Sequence, residues 1–233
     1  MNKISWTIFT VLIVGVLSLL VIFSKNTDTN VSKIDTNIAQ TANSQNGNIG
    51  DHTKGSSDSK VVLIEYGDYR CPGCGEINPT IEAIVDIYKD QIQFIFRNFP
   101  LTSIHENAKA AAGAVEAAGL QGKYWEMHDK VYASQSDWEG LSGNDLVDIF
   151  SSYASDFKLD TAKFKTDIAS TAVNSKITYD QALGNKSKLN STPTFFLNGT
   201  KLEPAIWSDK IKLESALNDE LNKVGITPPT ISE

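Results

Sequence analysis

Residues 60–75 read Lys60-Val61-Val62-Leu63-Ile64-Glu65-Tyr66-Gly67-Asp68-Tyr69-Arg70-Cys71-Pro72-Gly73-Cys74-Gly75. Val61 to Tyr66 is a short apolar run rich in β-branched residues, the composition of a strand buried on both faces. Cys71 follows within one short loop, and from Pro72 the pattern changes. Ile77, Ile81, Ile84, Val85 and Tyr88 recur at the spacing of one helical face, with a kink expected at Pro79. Ile92, Phe94 and Phe96 then alternate with Gln91, Gln93 and Arg97, which predicts a second strand with one polar face. Strand, helix, strand implies a right-handed crossover and a parallel pair.

Downstream, residues 105–183 read as helices: an Ala-rich stretch Asn107–Ala118, then Lys123–Ala133, Asn144–Tyr153 and one or two more, punctuated by Gly119, Gly122, Gly140 and Gly143. Thr194–Leu197 is an apolar strand, Asn198-Gly199 a hairpin turn, and Thr200–Leu202 the return. A last helix from about Ile206 to Val224 offers Ile211, Leu217 and Leu221 as its buried face. The order β-α-β, helices, β-β-α describes an α/β domain at about residues 60–226. It has a central mixed sheet and a helical insertion at about 104–184, and a short tail, 227–233, follows.

Upstream, Lys3 precedes an uncharged apolar run from Trp6 to Phe23, long enough to cross a membrane at ~1.5 Å per residue. No small-residue cleavage site follows it closely, so the expectation is an uncleaved anchor at 6–23 with residues 1–5 in the cytoplasm, a cleaved signal peptide being the alternative. The folded domain then lies outside the cytoplasm, where disulfides persist. Residues 24–59, rich in Asn, Ser, Thr, Asp and Gly, read as a flexible linker. With a net charge of -7 the chain lacks the basic surface that a nucleic-acid partner requires. A domain of this size buries its core without staples, which leaves cysteine free for chemistry.

The chain has only two cysteines, three residues apart between a buried strand and a helix. At a helix N-terminus the unsatisfied N–H groups and the macrodipole favour an anion, so Cys71 is the expected attacking thiol. Cys74, one turn in, is the expected resolving thiol. Pro72 suits the first helical turn and stiffens it, and Gly73 leaves the approach open; these two are the expected redox-tuning positions. A bracing disulfide is disfavoured because so short a loop removes little denatured-state entropy. Zinc needs four ligands, and His52, His105 and His128 are the only imidazoles, with His52 in the linker and the other two assigned surface or packing roles. Haem attachment would need His after Cys74, where Gly75 stands. No hard-cation loop is visible, so no metal is expected, and no cofactor beyond the Cys71-Cys74 disulfide. Glu65, six residues before Cys71 on the buried strand, reads either as a buried acid that relays the proton of Cys74 or as a strand-end carboxylate facing water.

Cys-Pro-x-Cys after a strand, the helical insertion and Thr192-Pro193-Thr194-Phe195-Phe196-Leu197-Asn198-Gly199 together resemble the DsbA-like branch of the thioredoxin superfamily, close to the BdbD type. Phe96–Leu101, His105–Ala108 and Gln121–Asp129 resemble it as well. The resemblance covers residues 60 to about 220. It implies a thioredoxin-like fold, a cis bond between Thr192 and Pro193 that presents residue 192 as a substrate-docking edge, Glu65 in the family's buried acid position, and an insertion capping the site. Its departure is Pro-Gly between the cysteines, where the strongest oxidants have Pro-His.

The implied activity is protein thiol-disulfide oxidoreduction, with disulfides introduced into cysteine-containing exported polypeptides and a membrane partner of DsbB or VKOR type reoxidising the pair. The alternatives are a reductase or isomerase using the same residues, a non-enzymatic peptide-binding chaperone module, and a glutathione-conjugating relative, against which the second cysteine argues.

Overall fold

The computed structural model describes residues 29–230. The strands are β1 (His52–Gly55), β2 (Val62–Gly67), β3 (Gln93–Asn98), β4 (Thr194–Leu197) and β5 (Thr200–Lys201). They form one sheet in the order β1-β3-β2-β4-β5, with β2 parallel to β3 and the other pairings antiparallel. Helix α1 (Pro72–Ile87) makes the crossover between the parallel pair, and it runs on through Pro79. Six helices fill the insertion: α2 (Ala108–Gly119), α3 (Tyr124–Ala133), α4 (Gln135–Trp138), α5 (Gly143–Asp156), α6 (Thr161–Asp167) and α7 (Thr171–Lys186). The chain ends on α8 (Pro204–Trp207) and α9 (Lys210–Lys223). The predicted membrane anchor, residues 6–23, lies outside the described residues. Among the described residues no helix is long and apolar enough to cross a membrane.

Both faces of the sheet are covered. Leu63 of β2 and Phe94 and Phe96 of β3 enter the larger core, with Ile81 and Ile84 of α1 and Leu213, Leu217 and Leu221 of α9. Ile64, Tyr66 and Ile95 point the other way, into a second cluster with Tyr179 and Leu183 of α7. Two expectations change here. Arg97 and Gln93, expected on a wet face, are both buried, because α7 and the segment before β1 cover that side. Ile211, expected inside, is 77 % exposed, and Leu213 takes the inward position at the i, i+4, i+8 spacing with Leu217 and Leu221.

The expected linker at 24–59 is the larger correction. From Val31 onward it is packed against the domain: Val31 and Ile49 are buried, and His52–Gly55 is the edge strand β1, paired with β3. Much of what holds it is charge. Arg97 donates to Asp51 Oδ2 (2.7 Å), to the carbonyls of Thr36 (2.6 Å) and Ile38 (2.7 Å) and to the Tyr66 hydroxyl (2.9 Å). The fully buried Lys176 ammonium bridges Asp51 (2.8 Å) and Asp180 (2.7 Å). Asn98 joins Asp180 to Glu116, and Glu116 takes His52 at 2.8 Å. Buried charges persist only when paired and hydrogen-bonded, and this polar segment supplies the partners. A search for apolar periodicity passes over such a segment.

Candidate active site

Cys71 is the N-cap of α1, in extended conformation (φ -72°, ψ 121°), and Pro72 occupies the first helical turn. The loop before it is tied by Asp68. Its carboxylate accepts from the backbone N–H of Arg70 (2.8 Å) and Leu101 (2.8 Å) and pairs with His105 Nδ1 (2.7 Å), while its carbonyl accepts from the Cys71 N–H (2.9 Å). His105, assigned a surface or packing role, thus braces the cysteine loop through Asp68. His128 does pack, edge-on against Tyr69, Phe96 and Tyr132.

The two cysteines are not bonded to one another in the structure. They differ sharply in environment. Cys71 is 9 % exposed at the rim, and its pKa is lowered to about 5, first by the hydrogen bond from the Cys74 thiol and then, against the opposing effect of burial, by the backbone N–H groups of Cys74 and Gly73. Cys74 is wholly buried, and that desolvation, with the Cys71 and Glu65 charges beside it, pushes its pKa well above the ordinary thiol value. The pair therefore divides into one thiolate and one thiol at neutral pH.

Glu65 faces inward, between Phe96 of β3 and Phe195 of β4, and is 2 % exposed. Burial first, then the nearby Glu82 and Cys71 charges, raise its pKa to about 8. Glu65 is therefore a buried acid and does not face water. Thr192-Pro193 is cis, and the Thr192 carbonyl lies 3.4 Å from Cys71 Sγ. Gly73 is next to this loop: a Cβ on it would lie 3.6 Å from Pro193 Cδ and 3.9 Å from Cys71 Sγ. All seven singled-out residues thus gather at one end of the sheet.

Three participants went unnoticed in the sequence. Asp68 and Gln135 hold the loop: Gln135 Nε2 donates to the carbonyls of Tyr69 (2.6 Å) and Cys71 (2.9 Å). Tyr132 is the third; its buried hydroxyl has no hydrogen-bond partner among the described residues, and a Cβ on Gly67 would lie 2.8 Å from it. Asp68 was readable as a turn-former before a helix, but Gln135 and Tyr132 arrive from the insertion, some sixty residues away. Among the described residues one group has metal-ligand character: Glu82, His128 and Asp129, with donor atoms within 4.8 Å of one another. Lys54 already serves it as the cation, bonded to Glu82 and 4.0 Å from Asp129.

A sheet with this strand order, a dithiol at the first helix and a cis-proline loop facing it define a thioredoxin fold, here with a helical insertion. The family model described as thioredoxin matches residues 47–217, and the chain belongs to that family. Among solved structures the fold is that of BdbD from Bacillus subtilis (TM-score 0.65, 22 % identity, 79 % of this chain and 98 % of that one). It is also that of Wolbachia pipientis alpha-DsbA1 (TM-score 0.64, 21 % identity, 74 % and 92 %). A thioredoxin-like oxidoreductase from Silicibacter pomeroyi is 25 % identical (TM-score 0.57, 75 % and 91 %). The curated relatives include the Na(+)/H(+) antiporter NhaA 1 of Salinispora arenicola, 36 % identical over 151 residues, which are 65 % of this chain and 22 % of that protein. The chain thus spans less than a quarter of the length of such relatives.

Proposed function

We propose that the chain is a thiol-disulfide oxidoreductase that introduces disulfides into exported, cysteine-containing polypeptides. One observation carries the direction: Cys71 is a stabilised thiolate, with its pKa near 5. What stabilises the thiolate stabilises the reduced form, so the Cys71-Cys74 disulfide is a willing oxidant and Cys71 a good leaving group. In the oxidised enzyme a substrate thiolate attacks Cys71 Sγ. The Cys71-Cys74 bond breaks and its electron pair goes to Cys74, which takes up a proton because its site disfavours charge. Glu65, protonated below about pH 8, is the adjacent proton source for that step. The substrate's second thiolate then attacks the substrate sulfur of the mixed disulfide and releases Cys71. Two electrons have passed to the enzyme, and a quinone-linked membrane partner of DsbB or VKOR type removes them.

The Thr192 backbone beside Cys71 suits an extended substrate strand. An anchor at 6–23, with the folded domain on the extracytoplasmic side of the cell membrane, would keep donor and acceptor in one plane. Equilibration of the full chain in glutathione buffers tests the direction: a potential of about -120 to -180 mV fits a disulfide donor, whereas one near about -270 mV assigns it to reduction.

A further inference from the structure

Gln135 opens α4, a helical turn anchored at its far end by Trp138. That indole is fully buried, donates to the Val131 carbonyl at 2.9 Å and packs on Phe150. From this fixed base the Gln135 amide spends both donors on the cysteine loop, at the carbonyls of Tyr69 and Cys71. Glu139, just beyond the turn, takes the residue between them, Arg70, at 2.8 Å. Three successive residues, 69 to 71, are therefore held from one short piece of the insertion. The Cys71 carbonyl also accepts from the Gly75 N–H at 3.2 Å, the first helical bond of α1. Gly75 belongs to the same contact: a Cβ there would fall 2.5 Å from Gln135 Oε1 and 2.7 Å from its Cδ.

We infer that Gln135 is a positioning residue for the Cys71 nucleophile, with Gly75 as the gap that admits it. The thiolate depends on Sγ staying within reach of the N–H groups of Gly73 and Cys74, and so on the orientation of the Cys71 peptide planes. Gln135 fixes those planes through the two carbonyls on either side of Arg70. Without its amide, the Tyr69 and Cys71 carbonyls lose a partner and the first turn of α1 loosens. The thiolate then gives up part of its donor set, and the disulfide becomes a weaker oxidant. The insertion thereby sets the chemistry of the pair as well as covering it. This rests on Cys71 being the nucleophile, which the same experiment examines separately.

The experiment is the pH dependence of thiolate absorbance and of alkylation, mapped by cysteine, on the reduced full chain. In the parent protein Cys71 should alkylate well below pH 7. Gln135→Ala should move its titration upward by about one pH unit, a tenfold loss of thiolate preference. Gly75→Ala should move it the same way by evicting the Gln135 side chain, and Gln135→Ala/Gly75→Ala should move it no further than either alone. Helix propensity favours Ala over Gly, which keeps the double variant folded. Gln135→Glu, the same shape with no N–H to give, should show the same upward shift. Unchanged titration in Gln135→Ala and Gln135→Glu, or additive shifts in the double variant, would overturn the inference. A parent chain whose thiols both titrate above pH 8 would instead remove Cys71 as the nucleophile, and this inference with it.

Discussion

The Thr192 carbonyl oxygen stands 3.4 Å from Cys71 Sγ, across the gap between the N-terminus of α1 and the start of β4. The residues are 121 apart in sequence, and their meeting sets the Thr192 backbone beside the sulfur. If Cys71 is the sulfur that substrates engage, Cys74→Ser should accumulate a mixed disulfide through Cys71, because the thiol that would resolve it from the enzyme side is gone. Cys71→Ser should accumulate almost none, since Cys74 is wholly buried. Non-reducing electrophoresis of the two reduced variants against a polypeptide that carries one disulfide gives the comparison, the enzyme thiolate attacking one of its sulfurs and the other leaving as a thiolate. Equal trapping would reverse the roles assigned to the pair.

The split between the two thiols sets a pH dependence for the reduced protein. Cys71 titrates near 5 when folded, below an ordinary thiol value of about 8.5. A depressed pKa stabilises the folded state fully above the unfolded value and loses that contribution as pH falls through the folded one. The reduced chain should therefore become less stable from about pH 8.5 down to 5 relative to the oxidised chain, which carries no titrating thiol. Thermal melts of both redox forms across that range should show the gap closing toward acid. A gap independent of pH would mean that Cys71 is not the stabilised thiolate.

Glu65 has the opposite sign. Its folded pKa, about 8, lies above the unfolded value, so its site favours the protonated form. The contribution is intact below about pH 4.5 and is lost as pH rises toward 8. Glu65→Gln removes a group that must either hold a proton or carry a buried charge. It should raise stability by a few kcal/mol at pH 8, with little change at pH 4. The same variant should slow reoxidation or substrate release about tenfold or more if the carboxyl moves the proton of Cys74. Denaturant midpoints and single-turnover rates check the two effects independently, and greater stability with unchanged rates would leave Glu65 no part in proton transfer.

The legible features share a physical origin. Val61 to Tyr66, the Cys71 turn and the face of α1 are local patterns, set by burial on both sides of a strand and by the requirements of a helix N-terminus. They survive in sequence because each is written in consecutive residues. Glu65 was legible for the same reason, as one acid in an apolar run. Gln135 and Tyr132 act through tertiary contact alone, and neither stands out from its neighbours in composition. Arg97 misled because a charged residue in an alternating strand ordinarily marks the wet face, whereas here its counter-ion comes from a segment that is itself polar.

That segment supports the last prediction. The Asp51 side chain is buried, and although burial alone would raise its pKa, Lys176 and Arg97 beside it hold it well below the ordinary carboxylate range. Removing one partner from a buried pair leaves the other charge uncompensated, at a cost of about 3–5 kcal/mol. Here Asp51→Ala leaves Arg97 without its carboxylate and Lys176 with Asp180 alone, so the loss should fall in that range. A chain begun at Lys60 would lose Asp51, the carbonyls of Thr36 and Ile38, the β1 edge and the His52 partner of Glu116 together. It should be markedly less stable than one begun at Thr29, and residues 31–51 should resist proteolysis in the intact protein but not in Asp51→Ala. Urea midpoints and limited proteolysis measure both. If the chain begun at Lys60 matched the longer one in stability, the buried charges would have to be satisfied without this segment, and its packing would be incidental to the fold.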